Sequence, residues 1–324
     1  MTPVALSIIG YGIMGERLLG AATAHDPRII RVAGVWDPSP QALARLEAGF
    51  ASVARLPSPE AAIEAADCVY IASPPATHLE HARRAVHAGR ALFCEKPLAI
   101  DCATARAFVA DAEAAETRAA VNFPFASSFA VDQIKAWIDE GAIGTPRALT
   151  IKVAFAEWPR PWQRDAAAWL ARCAQGGFTR EVVSHFLFLT RRLFGPLLLD
   201  AHRAEYPDAD ASEGAIEAQV RAGLLPVALS GRVGGTDKPN HNSWTLDGDS
   251  GAVRLSDWSL AERRGADGAW RPAPDALPNE RVRPLVLRRQ LDKVACLTRG
   301  KVHDLATLRE ALEVQEIVEA MLGD

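Results

Sequence analysis

The sequence predicts a two-domain α/β protein, and three observations predict it. Strand-like and helix-like segments alternate over the first third of the chain. A glycine-rich turn, Gly10-Tyr11-Gly12-Ile13-Met14-Gly15, joins the first strand to the first helix. Beyond residue 123 several short strands follow one another without helices between them. Alternation implies parallel pairing, because parallel neighbours need a crossover, whereas consecutive strands imply an antiparallel or mixed sheet. A chain of 324 residues also exceeds one ordinary core. The expected domains are 1–122 and 123–324.

Each element follows from its residues. Residues 4–9, 29–36, 68–72, 91–94 and 119–122 are apolar runs without period-two alternation, as in a sheet covered on both faces. Helix formers fill 14–24, 40–48, 77–88 and 101–115 between them. In the second domain, 131–140 and 178–194 read as helices, and 148–156, 197–205, 215–221, 227–233, 243–246 and 252–255 as strands. Helical stretches over 285–299 and 305–322 close the chain.

Hydrophobic residues make up 49% and charged residues 23%, a packed globular composition. The net charge of -4 gives no reason to expect nucleic acid or an anionic membrane as partner. No apolar run is long enough to span a bilayer, and no basic segment precedes the first apolar run, so no signal peptide is expected. The five cysteines include no CxxC pair, which points to a reducing, cytoplasmic setting.

The glycine turn follows a strand and opens a helix, the context of a dinucleotide-binding Rossmann motif. Gly10 permits the tight turn, Gly12 leaves room for a pyrophosphate, and Gly15 lets the helix pack on the strand. The helix start, with Ile13 and Met14, offers free N–H groups and a positive dipole end. The second strand ends at Asp37, where a carboxylate accepts from the adenosine ribose hydroxyls and repels a 2′-phosphate. Pro38-Ser39-Pro40 supplies no arginine for such a phosphate, so NAD is expected, with NADP the alternative. The competing role for Asp37 is to start a proline-containing turn.

Four features then coincide: the early glycine motif, the loop Ser73-Pro74-Pro75-Ala76-Thr77-His78, the tetrapeptide Cys94-Glu95-Lys96-Pro97, and Gly176-Gly177 leading to Glu181 and His185. In these the chain resembles the family of glucose–fructose oxidoreductase, inositol dehydrogenase and the MocA protein, closely in its first half and loosely in its second. The resemblance implies a Rossmann domain followed by an α+β domain with an open, mostly antiparallel sheet. It implies that Ser73, Pro74, Pro75, His78, Glu95 and Lys96 lie at the cofactor, and that Lys96 contacts a substrate hydroxyl. An ammonium there polarises a carbonyl oxygen or stabilises an alkoxide.

The family's Asp-x-x-x-His appears here as Glu181-Val182-Val183-Ser184-His185. The i, i+4 spacing puts both side chains on one helix face, with His185 as general acid/base. Glu181 keeps the charge on a longer arm and either binds substrate or tunes His185. After the histidine, Phe186-Leu187-Phe188-Leu189 replaces the acidic residue that many members carry, so a less polar pocket wall is expected. Trp158, Arg160, Trp162 and Gln163 either line a substrate pocket, with Arg160 for a carboxylate, or form a packing loop. Asn122 is a further pocket candidate, and the polar stretch 238–242 is placed by nothing in the sequence. His78 and His81 lack a third metal ligand nearby, and no metal is expected.

The expected function is hydride transfer between a nicotinamide and a hydroxyl-bearing carbon of a sugar, polyol or related small molecule. The alternatives are an NAD-dependent glycosidase and a non-catalytic dinucleotide-binding regulator. A homodimer or homotetramer through the open sheet is expected.

Overall fold

The computed structural model describes residues 2–238 and 240–323, Asn240 in its backbone alone. Pro239, within the polar stretch 238–242, lies outside the described residues. The chain forms two compact units, Met1–Pro124 with Leu287–Leu312, and Phe125–Val286 with Glu313–Asp324. The division at residue 122 would leave 287–312 in the second domain. Their side chains explain where they go: Leu287, Leu291, Val294, Ala295, Leu297 and Leu305 share one buried cluster with Ile8, Tyr70 and Phe93.

In the first unit, β1 (Val4–Ile9), β2 (Ile30–Trp36), β3 (Cys68–Ile71), β4 (Ala91–Cys94) and β5 (Ala119–Val121) form a sheet in the order β2-β1-β3-β4-β5. All its pairings are parallel. The next Rossmann position is reduced to one parallel bridge, Val35 to Arg55, outside β2. Every residue of β1, β3 and β4 is buried, as expected of strands covered on both faces. The crossovers are α1 (Ile13–Thr23), α2 (Pro40–Gly49), α3 (Pro59–Glu64), α4 (Pro75–His87) and α5 (Cys102–Ala114). The short α3 is absent from the sequence-based reading, although Ser58 as cap and Pro59 in the first turn mark its start.

The second unit is built on eight strands: β6 (Pro146–Phe155), β7 (Leu197–Glu205), β8 (Ala215–Ala222), β9 (Leu225–Val233), β10 (Asn240–Gly248), β11 (Ala252–Ser256), β12 (Leu260–Arg264) and β13 (Trp270–Pro272). Their order is β13-β12-β11-β10-β6-β9-β8-β7, antiparallel throughout except β6 with β9. The open, mostly antiparallel sheet is therefore as expected. The β12–β13 hairpin carries charged, exposed side chains without an apolar alternation, which hid it in the sequence.

One face of this sheet buries Leu149, Ile151, Val153, Ile216 and Val220, while Lys152, Glu217 and Arg221 point the other way. The unit also holds α6 (Phe129–Asp139), α7 (Ala167–Leu170) and α8 (Ser184–Phe194). Buried Trp244 of β10 donates from Nε1 to Thr190 Oγ1 of α8 at 2.9 Å, fixing that helix on the sheet. Two long helices, α9 (Asn279–Thr298) and α10 (Leu308–Leu322), each contribute to both units.

Candidate active site

The glycine motif forms the turn from β1 into α1. Gly10 has φ +98°, and a Cβ there would lie 2.5 Å from the Ser73 nitrogen, so only glycine lets the Ser73 loop approach. A Cβ on Gly15 would lie 2.0 Å from the Gly10 oxygen, the close helix–strand contact expected of the third glycine. A Cβ on Gly12 would meet nothing within 4 Å, and no side chain caps α1. An open space faces a helix start that still needs acceptors, the arrangement that suits a pyrophosphate.

Asp37 is fixed beside this turn. Its Oδ2 accepts from the Tyr11 N–H at 2.6 Å and its Oδ1 from the Ser39 N–H at 2.8 Å. Each oxygen keeps a lone pair for a ribose hydroxyl. Exposed Arg45, from α2, donates to the Tyr11 carbonyl at 3.2 Å. A guanidinium thus bonds the same residue as Asp37 does, from a helix position beyond the segment 38–40.

Ser73, Pro74 and Pro75 lead from β3 into α4 and abut the glycine turn. His78 ties this loop to the next one. Its Nδ1 faces the Pro97 carbonyl at 2.8 Å and its Nε2 the Ser73 carbonyl at 2.7 Å. Two acceptors favour the imidazolium, but burial, with Lys96 nearby, outweighs them and pulls the ring down to about 4. His78 is therefore neutral near pH 7 and donates to one carbonyl only. His81 packs edge-on against Trp36 at 5.8 Å, a packing role rather than a ligating one.

Half-buried Lys96 follows buried Glu95 at the end of β4. Tyr70 Oη donates to Glu95 Oε1, and Asn122 Nδ2 donates to the same oxygen at 2.5 Å. Gln290 Nε2 donates to Asn122 Oδ1 at 2.6 Å. Burial beside Glu95 holds the Tyr70 phenol well above its usual range. Asn122 thus serves the Glu95 network. Gln290, which anchors it from α9, carried no signal in the sequence. Each partner keeps a buried carboxylate or amide satisfied, and such a loss costs about 1–3 kcal/mol.

In the second unit, 178–194 is not one regular α-helix. Thr179–Val183 form a π turn, and α8 begins at Ser184. Extra-residue turns of this kind are frequent at functional sites. Buried Glu213 stands at the start of the turn and accepts from the Thr179 N–H at 2.6 Å, and burial raises its carboxyl. Gly177 has φ +99°, and a Cβ there would lie 2.1 Å from Glu213 Oε2. Gly177 is thus explained by the protein's own carboxylate, and Gly176 by the Leu170 carbonyl, 2.2 Å from where its Cβ would stand.

The π turn places Glu181 with the 158–163 loop. Gln163 Nε2 donates to Glu181 Oε1 at 3.4 Å, and Arg160 Nη2 lies 3.8 Å from that oxygen. Arg160 sits over Trp162, Trp158 and Phe155, with its Nε on Gln163 Oε1 at 2.8 Å. Trp158 donates to the Leu170 carbonyl at 3.2 Å, and Trp162 is exposed. Trp158, Arg160, Trp162 and Glu181 therefore come together. Gln163, expected with them as a pocket candidate, is the residue that links them.

His185 is buried on α8, edge-on to Trp258 at 5.5 Å and to Phe125 at 6.1 Å. Trp258 and Asp257 both adopt positive φ, a costly conformation for such residues. Asn242 holds that turn: its Oδ1 accepts from the Trp258 N–H at 3.0 Å. Part of the polar stretch 238–242 thus supports a ring against His185, and Trp258 is a residue that no sequence pattern singles out.

Residues 4–123 match the family model described as oxidoreductase family, NAD-binding Rossmann fold. This stretch of the chain is thus similar to the NAD-binding domain of the family that the sequence motifs resemble. An inositol 2-dehydrogenase of Pseudomonas fluorescens is 34% identical over 149 residues, 44% of each chain. One from Rhizobium meliloti is 27% identical over 197 residues, 59% of this chain and 55% of its own. The matched stretches thus span about half the length of these curated relatives. An oxidoreductase from Agrobacterium radiobacter, solved with NAD+, L-tartaric acid and magnesium, superposes with TM-score 0.81 at 20% identity, over 98% of this chain and 95% of that one. At that identity the likeness concerns the fold.

Proposed function

We propose that the protein is an NAD-dependent dehydrogenase or reductase acting on a hydroxyl-bearing carbon of a sugar, polyol or related small molecule, with NADP the alternative cofactor. The observation that carries this is the uncapped start of α1 at open Gly12, beside a fixed Asp37. Gly10, Tyr11, Gly12, Ile13, Met14 and Gly15 would hold the pyrophosphate, and Asp37 the adenosine ribose. Ser73, Pro74, Pro75, His78 and Glu95 would shape the rest of the cofactor site. When bound, the nicotinamide supplies the hydride acceptor or donor.

Lys96 would steady the substrate oxygen as charge develops on it, and His185 would hold or release the hydroxyl proton at a ring nitrogen. Asn122 acts by keeping Glu95 oriented next to Lys96. Glu181, with Trp158, Arg160 and Trp162, would contact the substrate. Among the described residues the five cysteines form no disulfide, which supports a reducing, cytoplasmic setting. The polar face carrying Lys152, Glu217 and Arg221 supports a homodimer or homotetramer through the eight-stranded sheet; a monomer by sedimentation would remove that part.

The test is a panel of sugars and polyols, headed by myo-inositol, screened with NAD and NADP in parallel. Net formation of reduced cofactor is expected. No absorbance change with either cofactor would overturn the proposal, and phenol release from an aryl glycoside without net reduction would favour the glycosidase. With the substrate in hand, Lys96→Ala and His185→Ala should each lower kcat/KM by about 100- to 10,000-fold.

A further inference from the structure

Arg160 carries its charge in an apolar setting. Its side chain is only 7% exposed, and the guanidinium carbon lies 4.6 Å from the Trp162 ring centre and 5.4 Å from that of Trp158. A buried cation needs a partner, and two are in place. Gln163 accepts from Arg160 Nε at 2.8 Å through Oε1 and donates to Glu181 Oε1 at 3.4 Å through Nε2, so its amide orientation is fixed at both ends. Arg160 Nη2 is 3.8 Å from the same glutamate oxygen. An aspartate at 181 would stop about 1.5 Å short of that contact.

The exposed end of this relay is the acid: the Glu181 side chain is 24% exposed against 7% for Arg160. A ligand meets a carboxylate first and a covered guanidinium second. We infer that Arg160, Gln163 and Glu181 form a charge-neutralised subsite for neutral polyhydroxyl ligands, one that rejects carboxylates, with Glu181 its specificity-determining residue. This deepens the proposed carbohydrate-like substrate and rests on it. Ligand hydroxyls donate to Glu181, and exposed Trp162 offers a ring face for a sugar. An incoming carboxylate meets like charge and finds the guanidinium fork occupied.

The experiment is a tryptophan-fluorescence titration with D-glucuronate, and with D-glucose as the uncharged match, at fixed ionic strength. Glu181→Gln keeps the arm's length and removes the charge. It should raise the ratio of glucuronate to glucose affinity about tenfold over the unmodified protein, with the gain abolished when Arg160→Met is added. No gain, or a gain that survives Arg160→Met, overturns the inference, as does tighter binding of glucuronate than glucose by the unmodified protein. Because the readout is binding without turnover, it is independent of whether the substrate screen succeeds.

Discussion

Two glycine turns open two functional helical segments, and they use glycine for opposite ends. At Gly12 the space where a side chain would stand is empty, and the helix start behind it has no cap from the protein. At Gly177 that space is filled by Glu213, which also takes the Thr179 N–H. Both helix starts need acceptors. One is completed internally and the other is left for a ligand. A glycine-rich turn before a helix therefore says nothing by itself about binding; what occupies the missing Cβ does.

The comparison breaks most sharply at Gly177. Gly177→Ala must hold an alanine at positive φ and push Glu213 off the π turn. The strain costs about 1–3 kcal/mol and the lost cap about 0.5–2 kcal/mol. A destabilisation of about 2–4 kcal/mol is expected in urea unfolding. Unchanged stability would mean that Glu213 moves freely and that its contact with Thr179 is incidental.

The two turns were also unequally legible. The Gly10 turn obeys a short-range rule, strand then glycines then helix, and its elements came within one or two residues of their positions because the apolar runs of β1, β3 and β4 are wholly buried. Asp37 followed from spacing alone. Glu181 and His185 were found by resemblance, but their surroundings were not. The π turn inserts no signal into an apolar helix, and Glu213 and Trp258 reach their partners across long sequence separations. Pairing across such distances has no local pattern to read. Arg45 was missed for a smaller reason: a helix brings its second turn back to the loop it leaves.

His78 gives the next largest effect, and it follows the loop beside the open turn. Its folded value of about 4 lies below the ordinary 6.5. Between those values the unfolded chain binds a proton that the folded ring refuses, so stability falls as pH drops from 6.5 to 4 and is unaffected above. The loss reaches about 3 kcal/mol at the lower end. Urea unfolding at pH 7 and pH 4.5 should show a shallower pH dependence in His78→Asn than in the unmodified protein. An equal dependence would mean that the ring is charged between its two carbonyls.

Gly12→Val is the counterpart of the Gly177 variant. Its added atoms meet open space, so folding should change by about 1 kcal/mol or less, while affinity for NAD falls about 100-fold because the pyrophosphate loses its approach. Dinucleotide fluorescence titration separates the two quantities. A stability loss as large as that at Gly177 would erase the distinction between an emptied turn and a filled one.

The smallest effect sharpens the cofactor choice within the open turn. Asp37 orients the turn, through the Tyr11 and Ser39 N–H groups, and in the proposed cofactor site it would repel a 2′-phosphate by charge. Asp37→Ser keeps a short acceptor and removes the repulsion. Arg45, held at the Tyr11 carbonyl, would then be the cation available to such a phosphate. The ratio of NAD to NADP affinity should fall about tenfold, measured by titrating the two reduced cofactors in parallel. Adding Arg45→Ala to the Asp37→Ser variant should return part of that change, since the guanidinium would be the phosphate's partner. If the ratio moves without Arg45, the carboxylate acts by repulsion alone and the arginine serves only the turn.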